Sequence, residues 1–217
     1  MEEKNIAFPC EARYYKLGKM DATTRQVWVV LHGYGQLAQF FIKKFQTLSE
    51  QNICVIAPEG LSRFYLSELT EQGRKDNKVG ATWMTRENRT VDIRNYITYL
   101  DAVCEHELKS FPNIPVTVLG FSQGSATACR WATQGKIKFE KLILWAGIFP
   151  PDMDFKVGHD ILSMKKTYLV VGKHDPYLNE DRMKEFKQLA SQLGIQPEII
   201  SFEGKHEINE EVLSRLI

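Results

Sequence analysis

The sequence predicts an α/β protein whose open, mostly parallel twisted sheet carries helices on both faces. Short apolar runs bounded by turn residues alternate along the chain with longer segments whose apolar residues recur at helical spacing. The runs are apolar at consecutive positions, which is typical of parallel strands buried on both faces. Strands that alternate with helices in this way favour a parallel sheet with helical crossover connections.

The predicted strands are four or five residues long and rich in Val, Ile and Leu. They lie at 27–31, 53–57, 116–119, 142–146, 168–171 and 199–202. An earlier strand at 13–17 is predicted to pair antiparallel at one edge of the sheet. Because the carboxyl ends of parallel strands meet at one edge of a sheet, residues that directly follow these strands are expected to lie near one another.

The predicted helices are recognised by apolar stripes and by their caps. Between the first two strands, the positions i, i+3, i+4, i+8 and i+11 hold Leu37, Phe40, Phe41, Phe45 and Leu48, a stripe that would cover one face of the sheet. Helical spacing recurs over 93–104 and 183–193. The second of these segments follows Asn179, a favourable N-cap, and stops at Gly194. A short helix is predicted after Asn209.

Composition favours one soluble globular domain spanning residues 1–217. Hydrophobic residues make up 43% and charged residues 25%, which excludes disordered and collagen-like chains. The 28 basic and 27 acidic residues give a formal net charge of +1, so neither nucleic acid nor an anionic membrane is an expected partner. No run approaches the ~18 apolar residues of a spanning helix, so stable membrane insertion is not expected.

The cysteines are widely spaced and form no C-x-x-C pair; they are Cys10, Cys54, Cys104 and Cys129. The last three fall in apolar stretches, where a free thiol behaves as a small hydrophobe. With a charged N-terminus that lacks an apolar signal region, this pattern indicates a cytoplasmic protein.

One long segment, 61–89, shows no clear periodicity and contains aromatic residues. A connection of this length in an α/β fold is usually functional or a flexible surface loop. We expect it to form a substrate-facing wall, with Phe64 and Trp83 as substrate contacts. The alternative, in which these aromatic side chains pack the segment onto its own domain, remains open.

A G-x-S-x-G motif at 120–124 marks a candidate nucleophile. It directly follows the strand 116–119 and precedes a helical stretch at 125–133. A serine on such a strand-to-helix turn projects its hydroxyl above the sheet. Ser122 is therefore the predicted nucleophile, and its weak hydroxyl requires a base and an acid that orients the base.

Asp175 and His206 are the predicted acid and base. Asp175 follows the strand 168–171 and His206 follows the strand 199–202, in the order nucleophile, acid, histidine. Asp152 and Asp154 follow the strand 142–146 and remain substitutes for the acid, one strand earlier than its usual position.

The other histidines are interpreted as non-catalytic. His174 adjoins the proposed acid in sequence and would point elsewhere, and His159 lies in a connection that leads into a strand at the opposite sheet end. His106 falls on a polar helix flank. His32 precedes a glycine turn and is expected to pack or to hydrogen-bond within its loop.

If Ser122 attacks an acyl carbonyl, the oxygen of the tetrahedral intermediate becomes negatively charged and needs hydrogen-bond donors. We expect these to be the backbone N–H groups of Gln123, next to the nucleophile, and of Tyr34, in the glycine-lined turn after the first parallel strand. This chemistry requires neither a cofactor nor a metal.

The sequence resembles the α/β-hydrolase superfamily and, within it, the phospholipase/carboxylesterase family that includes acyl-protein thioesterases. The motifs that carry the resemblance are H-G-Y-G (32–35), A-P-E-G (57–60), G-F-S-Q-G (120–124), G-K-H-D-P (172–176) and G-K-H (204–206). The resemblance implies an α/β-hydrolase fold without a large cap domain, and cleavage of a carboxylic ester or thioester without a cofactor. The sequence departs from the family pattern at Gln36, Ser125, Lys205 and the Pro-Tyr-Leu-Asn segment after Asp175.

The predicted function is that of a serine esterase or thioesterase that acts on a small-molecule substrate through an acyl-enzyme. The same triad would also serve an acyl-protein thioesterase, an acyl-CoA thioesterase or an acyltransferase. A binding protein with a hydrolase fold and no catalysis is a further alternative, although such proteins typically lose a triad residue.

Overall fold

The computed structural model describes residues 1–70, 73–74 and 76–217, and its centre is a seven-stranded sheet. The strands are β1 (Tyr14–Leu17), β2 (Gln26–Leu31), β3 (Ile53–Pro58), β4 (Ser62–Tyr65), β5 (Leu69–Thr70), β6 (Gly73–Arg74), β7 (Val79–Thr82), β8 (Val116–Phe121), β9 (Lys141–Trp145), β10 (Lys166–Gly172) and β11 (Glu198–Phe202). The α-helices are α1 (Ala38–Phe41), α2 (Gln46–Ser49), α3 (Arg89–Leu108), α4 (Gln123–Gln134), α5 (Phe155–Leu162), α6 (Glu180–Gln192) and α7 (Glu210–Arg215).

The sheet order is β1-β3-β2-β8-β9-β10-β11. All neighbours are parallel except β1, which pairs antiparallel with β3 so that Tyr14 lies opposite Pro58. The six predicted parallel strands and the antiparallel edge strand are therefore confirmed. The sheet is open, and no large cap covers it in the part of the chain that the structure describes.

The sheet separates two hydrophobic cores, one on either face, and the parallel strands β2, β3, β8, β9 and β10 contribute side chains to both. In β2, Val27 and Val29 point into one core and Trp28 and Val30 into the other. The first core is closed by α3, α4, α5 and α6, and the second by α1, α2 and α7. Helices on both faces are thus confirmed.

The first predicted helix differs from its expected form. A 3₁₀ turn over Ile42–Phe45 separates α1 from α2, so the segment is not one continuous α-helix. Phe41 and Phe45 are buried as the stripe predicts, but Phe40 is 59% exposed and Ile42 takes its place in the core. The prediction that Phe40 packs on the sheet is wrong.

Local capping explains where the later helices begin. The Asn179 side chain accepts a hydrogen bond from the Arg182 N–H at 3.0 Å, and α6 is followed by Gly194 at φ 62°. Asn209 caps α7 in the same way. Helix α5 was not predicted, because its residues were interpreted as an irregular connection. The Asp154 carboxylate caps this helix by accepting two backbone N–H bonds.

The segment 61–89 also has more structure than its sequence pattern indicates. Strands β4 and β7 pair antiparallel, as do the two-residue strands β5 and β6. Residues 71, 72 and 75 of this segment lie outside the described residues. Among the described helices, none has the length and apolar character needed to cross a lipid bilayer.

Candidate active site

Ser122 lies at the sharp turn between β8 and α4, near the centre of the sheet. Its backbone has φ 55° and ψ −116°, a conformation that is strained for a residue with a side chain. The Ser122 N–H donates to the Trp145 carbonyl at 2.8 Å, which fastens the turn to the neighbouring strand β9. This is the geometry in which a serine hydroxyl projects from the top of the sheet.

The two glycines of the motif are required by close backbone packing around the turn. A Cβ at position 120 would lie 2.2 Å from the Gly124 carbonyl oxygen, and one at position 124 would lie 2.2 Å from the Leu31 carbonyl oxygen. Neither backbone atom can move aside cheaply. Glycine at both positions therefore allows the turn to pack between β2 and β8.

Asp175 and His206 are brought together by the loops after β10 and β11. The His206 Nδ1 lies 2.8 Å from the Asp175 Oδ2. A carboxylate only accepts, so the imidazole donates through Nδ1 and its Nε2 is left to accept a proton. The other oxygen of Asp175, Oδ1, accepts the Tyr177 N–H at 2.8 Å, and the carboxylate is fully buried.

Two aromatic rings flank the His206 imidazole. Phe121, the residue before Ser122, has its ring centroid 4.9 Å from that of His206. The Tyr177 ring meets the imidazole edge to face at 4.7 Å. The contact with Phe121 places His206 beside the turn that carries Ser122.

The turn after β2 lies on the other side of the serine. A Cβ built at Gly33 would lie 3.2 Å from the Ser122 Cβ, so the two turns are in contact. The Gly33 N–H donates to the Gln36 Oε1 at 2.8 Å, which holds the turn closed. Within the described residues, the backbone N–H groups of Tyr34 and Gln123 donate to no protein acceptor. Both are available to a substrate oxygen.

His32 supports this turn from below and is not free to act as a base. Its Nδ1 donates to the Gly33 carbonyl at 2.8 Å, and its Nε2 accepts the Gly60 N–H at 2.9 Å. Both ring nitrogens are therefore occupied with the imidazole neutral. Burial lowers the pKa of His32, which keeps it in that form.

The alternative aspartates have other partners. Asp152 accepts from the Arg130 Nη2 at 2.6 Å and also pairs with Arg89. Asp154 is occupied in capping α5. Asp175 alone among these three carboxylates touches His206 in the structure.

Two of the remaining histidines, His159 and His174, have partners away from this turn. The His159 Nδ1 lies 2.8 Å from the Leu193 carbonyl, and the exposed His174 lies 3.3 Å from Glu203.

The cysteines offer no rival nucleophile in the core. Burial raises the pKa of Cys54 to about 11 and that of Cys104 to about 12, and it raises the pKa of Cys129 further. These thiols stay protonated at neutral pH and are poor nucleophiles.

Phe64 and Trp83, the predicted substrate contacts, occupy different environments. Phe64 is half-buried, and its ring lies 5.1 Å from that of Tyr34, which is 61% exposed at the mouth of the site. Trp83 is 2% exposed; its Nε1 donates to the His32 carbonyl at 2.8 Å. Trp83 therefore packs beneath the site and holds the turn that carries Tyr34.

Sequence reasoning missed the role of the Gln123 side chain. Its Nε2 donates to the Thr82 Oγ1 and to the Met84 carbonyl, both at 2.9 Å, and its Oε1 accepts the Trp83 N–H at 3.2 Å. The segment 82–84 is thereby fastened to the residue beside the nucleophile. A half-buried amide with backbone and hydroxyl partners gives no signal in the sequence.

Gln36 and Tyr177 were visible in the sequence only as departures from the family pattern. Their contacts with Gly33 and His206 depend on side-chain directions that spacing does not give. In the described ranges, no three His, Cys, Asp or Glu side chains lie close enough together to hold a metal ion.

Comparison with known proteins places this site in a family context. The family model described as "Serine hydrolase (FSH1)" matches residues 22–211. No curated protein sequence matches the chain. Zea mays acyl-protein thioesterase 2 is similar with a TM-score of 0.70 and 19% sequence identity, over 95% of this chain and 96% of that chain.

Two further solved structures have the same fold. Esterase PE8 has a TM-score of 0.67 and 18% identity, over 95% of this chain and 96% of that chain. The Bacillus cereus carboxylesterase has a TM-score of 0.62 and 14% identity, over 94% and 91%. The predicted α/β-hydrolase fold is confirmed.

Proposed function

Because the chain belongs to the FSH1 serine hydrolase family, we propose that it is a single-domain enzyme that cleaves carboxylic esters or thioesters through an acyl-enzyme on Ser122. The observation that carries this proposal is the hydrogen bond between His206 and the buried carboxylate of Asp175, beside a serine with a strained backbone. Nucleophilic acyl transfer requires a nucleophile, a base and an acid that orients the base, and we assign these roles to Ser122, His206 and Asp175.

In the first half of the reaction, the Ser122 Oγ attacks the acyl carbonyl carbon and its proton passes to the His206 Nε2. The imidazolium that forms is stabilised by Asp175, which keeps the ring in the required tautomer. The negative charge develops on the former carbonyl oxygen, where the N–H groups of Tyr34 and Gln123 bind it. Collapse of this intermediate expels the alcohol or thiol, which takes the proton from His206.

In the second half, a water molecule replaces the leaving group. His206 accepts a proton from that water as its oxygen attacks the acyl carbon. The carboxylic acid leaves, and the proton returns to the Ser122 Oγ. Two residues beside the site, Tyr34 and Tyr177, are 61% and 67% exposed. Solvent water can therefore reach the acyl-enzyme, and hydrolysis is the reaction that we propose.

The substrate in this proposal is a small molecule, with Phe64 at the mouth as a direct contact and Trp83 acting through the turn it supports. The near-zero net charge of the chain favours this over a nucleic-acid partner. The buried thiols of Cys54, Cys104 and Cys129 are unpaired, which supports a reducing compartment, the cytoplasm.

The test is replacement of the nucleophile. Ser122→Ala is expected to lower kcat for p-nitrophenyl acetate by about 10⁴-fold to 10⁶-fold and to abolish labelling by a fluorophosphonate. Ser125→Ala is the matched control, because the Ser125 Oγ donates to the Gly120 carbonyl at 2.7 Å and points away from the substrate side. Labelling that survives in Ser122→Ala, or that disappears in Ser125→Ala alone, would contradict the assignment.

A further inference from the structure

A groove lies beside the proposed active site, outside the turn that carries Tyr34. Its volume is about 580 Å³, within the range of sites that bind small molecules. One wall comes from the start of the first helical segment and includes Leu37, Phe40 and Phe41. The opposite wall comes from the 61–89 segment and includes Leu66 and Val79. Both walls are apolar, so the groove suits a hydrocarbon chain.

The floor of the groove is continuous with the oxyanion turn. Gly35 and Gln36 line the groove, and Gly33, two residues before Gly35, contacts Ser122. Two residues of chain span about 7 Å at most. The Gly35 N–H donates to the Ala81 carbonyl at 2.9 Å, which fixes the floor to β7. A substrate carbonyl at Ser122 therefore lies within a few methylene lengths of the groove.

The groove also carries positive charge. Lys44 and Lys78 belong to its lining, and the Lys43 Nζ lies 5.7 Å from the centre of the Phe40 ring on the same helical segment. Among the described residues, no carboxylate lies within ion-pair distance of Lys44, and Lys78 is 3.6 Å from Asp76. The lysines therefore outnumber the acidic partners, and the lining favours an anion.

This combination distinguishes the groove from a simple fatty-acyl site. A neutral chain would gain from the apolar walls but would bring no negative charge to Lys44 and Lys78. A highly charged ligand without a hydrocarbon part would leave the exposed ring of Phe40 and the side chain of Leu66 in water. A chain that is apolar along its length and anionic at its end matches both features.

We infer that the groove binds the acyl part of the substrate, and that this acyl part is a medium-length aliphatic chain ending in a carboxylate. The inference rests on the proposed function, because it places the acyl carbonyl at Ser122. The overall reaction is then the hydrolysis of a monoester or monothioester of a dicarboxylic acid. Water adds across the acyl bond, and the products are the free dicarboxylate and the alcohol or thiol.

Matched pairs of esters test the inference. The p-nitrophenyl monoesters of adipic, suberic and sebacic acid are compared with p-nitrophenyl hexanoate, octanoate and decanoate of equal chain length. At one or more lengths, kcat/KM for the anionic ester should exceed that for the neutral ester by about threefold to tenfold at low salt. The preference should shrink in about 0.5 M NaCl, which screens the lysines.

Variants test whether the preference for the anionic ester arises from the lysines of the groove. The double variant Lys44→Gln/Lys78→Gln should bring the anionic-to-neutral ratio close to one, while Lys109→Gln should leave it intact. Lys109 is exposed just past the C-terminal end of α3, so it makes the same change of charge away from the groove. Leu66→Trp should fill the groove and abolish the gain from added methylenes, which is otherwise roughly fourfold each.

The outcomes separate the two proposals. If the neutral ester is preferred at every length, or if the double lysine variant keeps the parent ratio, the inference about the groove is overturned while Ser122-dependent hydrolysis of p-nitrophenyl acetate stands. If no ester is hydrolysed, the proposed function fails, and calorimetry with free suberate and octanoate still tests the groove. Suberate should bind several-fold more tightly than octanoate to the parent protein, and equal binding overturns the inference.

Discussion

The tautomer of the His206 imidazole, our proposed base, depends on Asp175, and the structure indicates what Asp175→Asn would do. An asparagine in the same rotamer offers one acceptor and one donor where the carboxylate offers two acceptors. The Tyr177 N–H, which donates to Oδ1 at 2.8 Å, requires the acceptor. The amide NH₂ would then face the His206 Nδ1, which must accept, so the imidazole proton moves to Nε2. An Nε2 that already carries a proton cannot take one from Ser122.

The opposite amide orientation would keep the required tautomer but is disfavoured. It would place the NH₂ group against the Tyr177 N–H and leave a buried donor without an acceptor. Such a donor costs about 1–3 kcal/mol, a factor of about five to 150 in population. The unproductive orientation therefore dominates. We expect kcat to fall by about 10⁴-fold, which corresponds to about 5 kcal/mol in the activation barrier.

The assay is steady-state hydrolysis of p-nitrophenyl acetate, with the thermal midpoint as a check on folding. Asp152→Asn is the matched control because Asp152 lies in the neighbouring loop and pairs with Arg130, away from His206. It should keep a kcat close to that of the parent protein. If Asp175→Asn retains more than about a tenth of the parent kcat, or if Asp152→Asn loses as much, the tautomer reasoning is refuted.

Three further predictions concern side chains that hold the site together. Gln36→Ala should lower kcat about tenfold with little change in KM, since it frees the Gly33 N–H and loosens the oxyanion turn; a change in KM alone would count against this. Tyr177→Ala should lower kcat about tenfold while Tyr177→Phe retains it, because the ring contacts the His206 imidazole; equal losses would assign the effect to the hydroxyl. Burial lowers the pKa of His32 below its ordinary value of 6.5, so the stability that its neutral form contributes is present above that pH and is lost below it. Calorimetry should show a lower thermal unfolding midpoint at about pH 5 than at about pH 7. The decrease should be smaller in His32→Gln.

The strands of the central sheet, and the residues that follow them, could be predicted because both are marked by local sequence patterns. Buried parallel strands read as apolar runs, and the residues that follow them are carried to one edge of the sheet. Ser122, Asp175 and His206 each follow such a run, and the structure joins His206 to Asp175 by a hydrogen bond and to Phe121, the neighbour of Ser122, by a ring contact. The superfamily resemblance is confirmed, and the family model that matches the chain is that of the FSH1 serine hydrolases.

The features that could not be predicted depend on tertiary contacts. The stripe that begins at Leu37 has helical spacing, but it reveals neither the 3₁₀ turn over Ile42–Phe45 nor the exposure of Phe40. The short strands after β3 pair with each other through backbone hydrogen bonds and carry little apolar alternation. Trp83 was predicted as a substrate contact because aromatic residues give its segment apolar surface; the structure buries its side chain against the His32 turn, a packing contact that composition does not reveal.

The attachment of the 61–89 segment has a consequence for how this enzyme could diversify. Gln123 and Trp83 fix the 82–84 end of this segment to the turns of the proposed active site, while Leu66 and residues 77–79 form one wall of the groove. If the groove binds the acyl group as we infer, mutations, insertions or deletions in that wall would alter the acyl groups that are accepted and leave the strained serine and its partners undisturbed. Descendants of one ancestral gene could therefore acquire new specificities by changing this wall alone, with the reaction itself inherited intact.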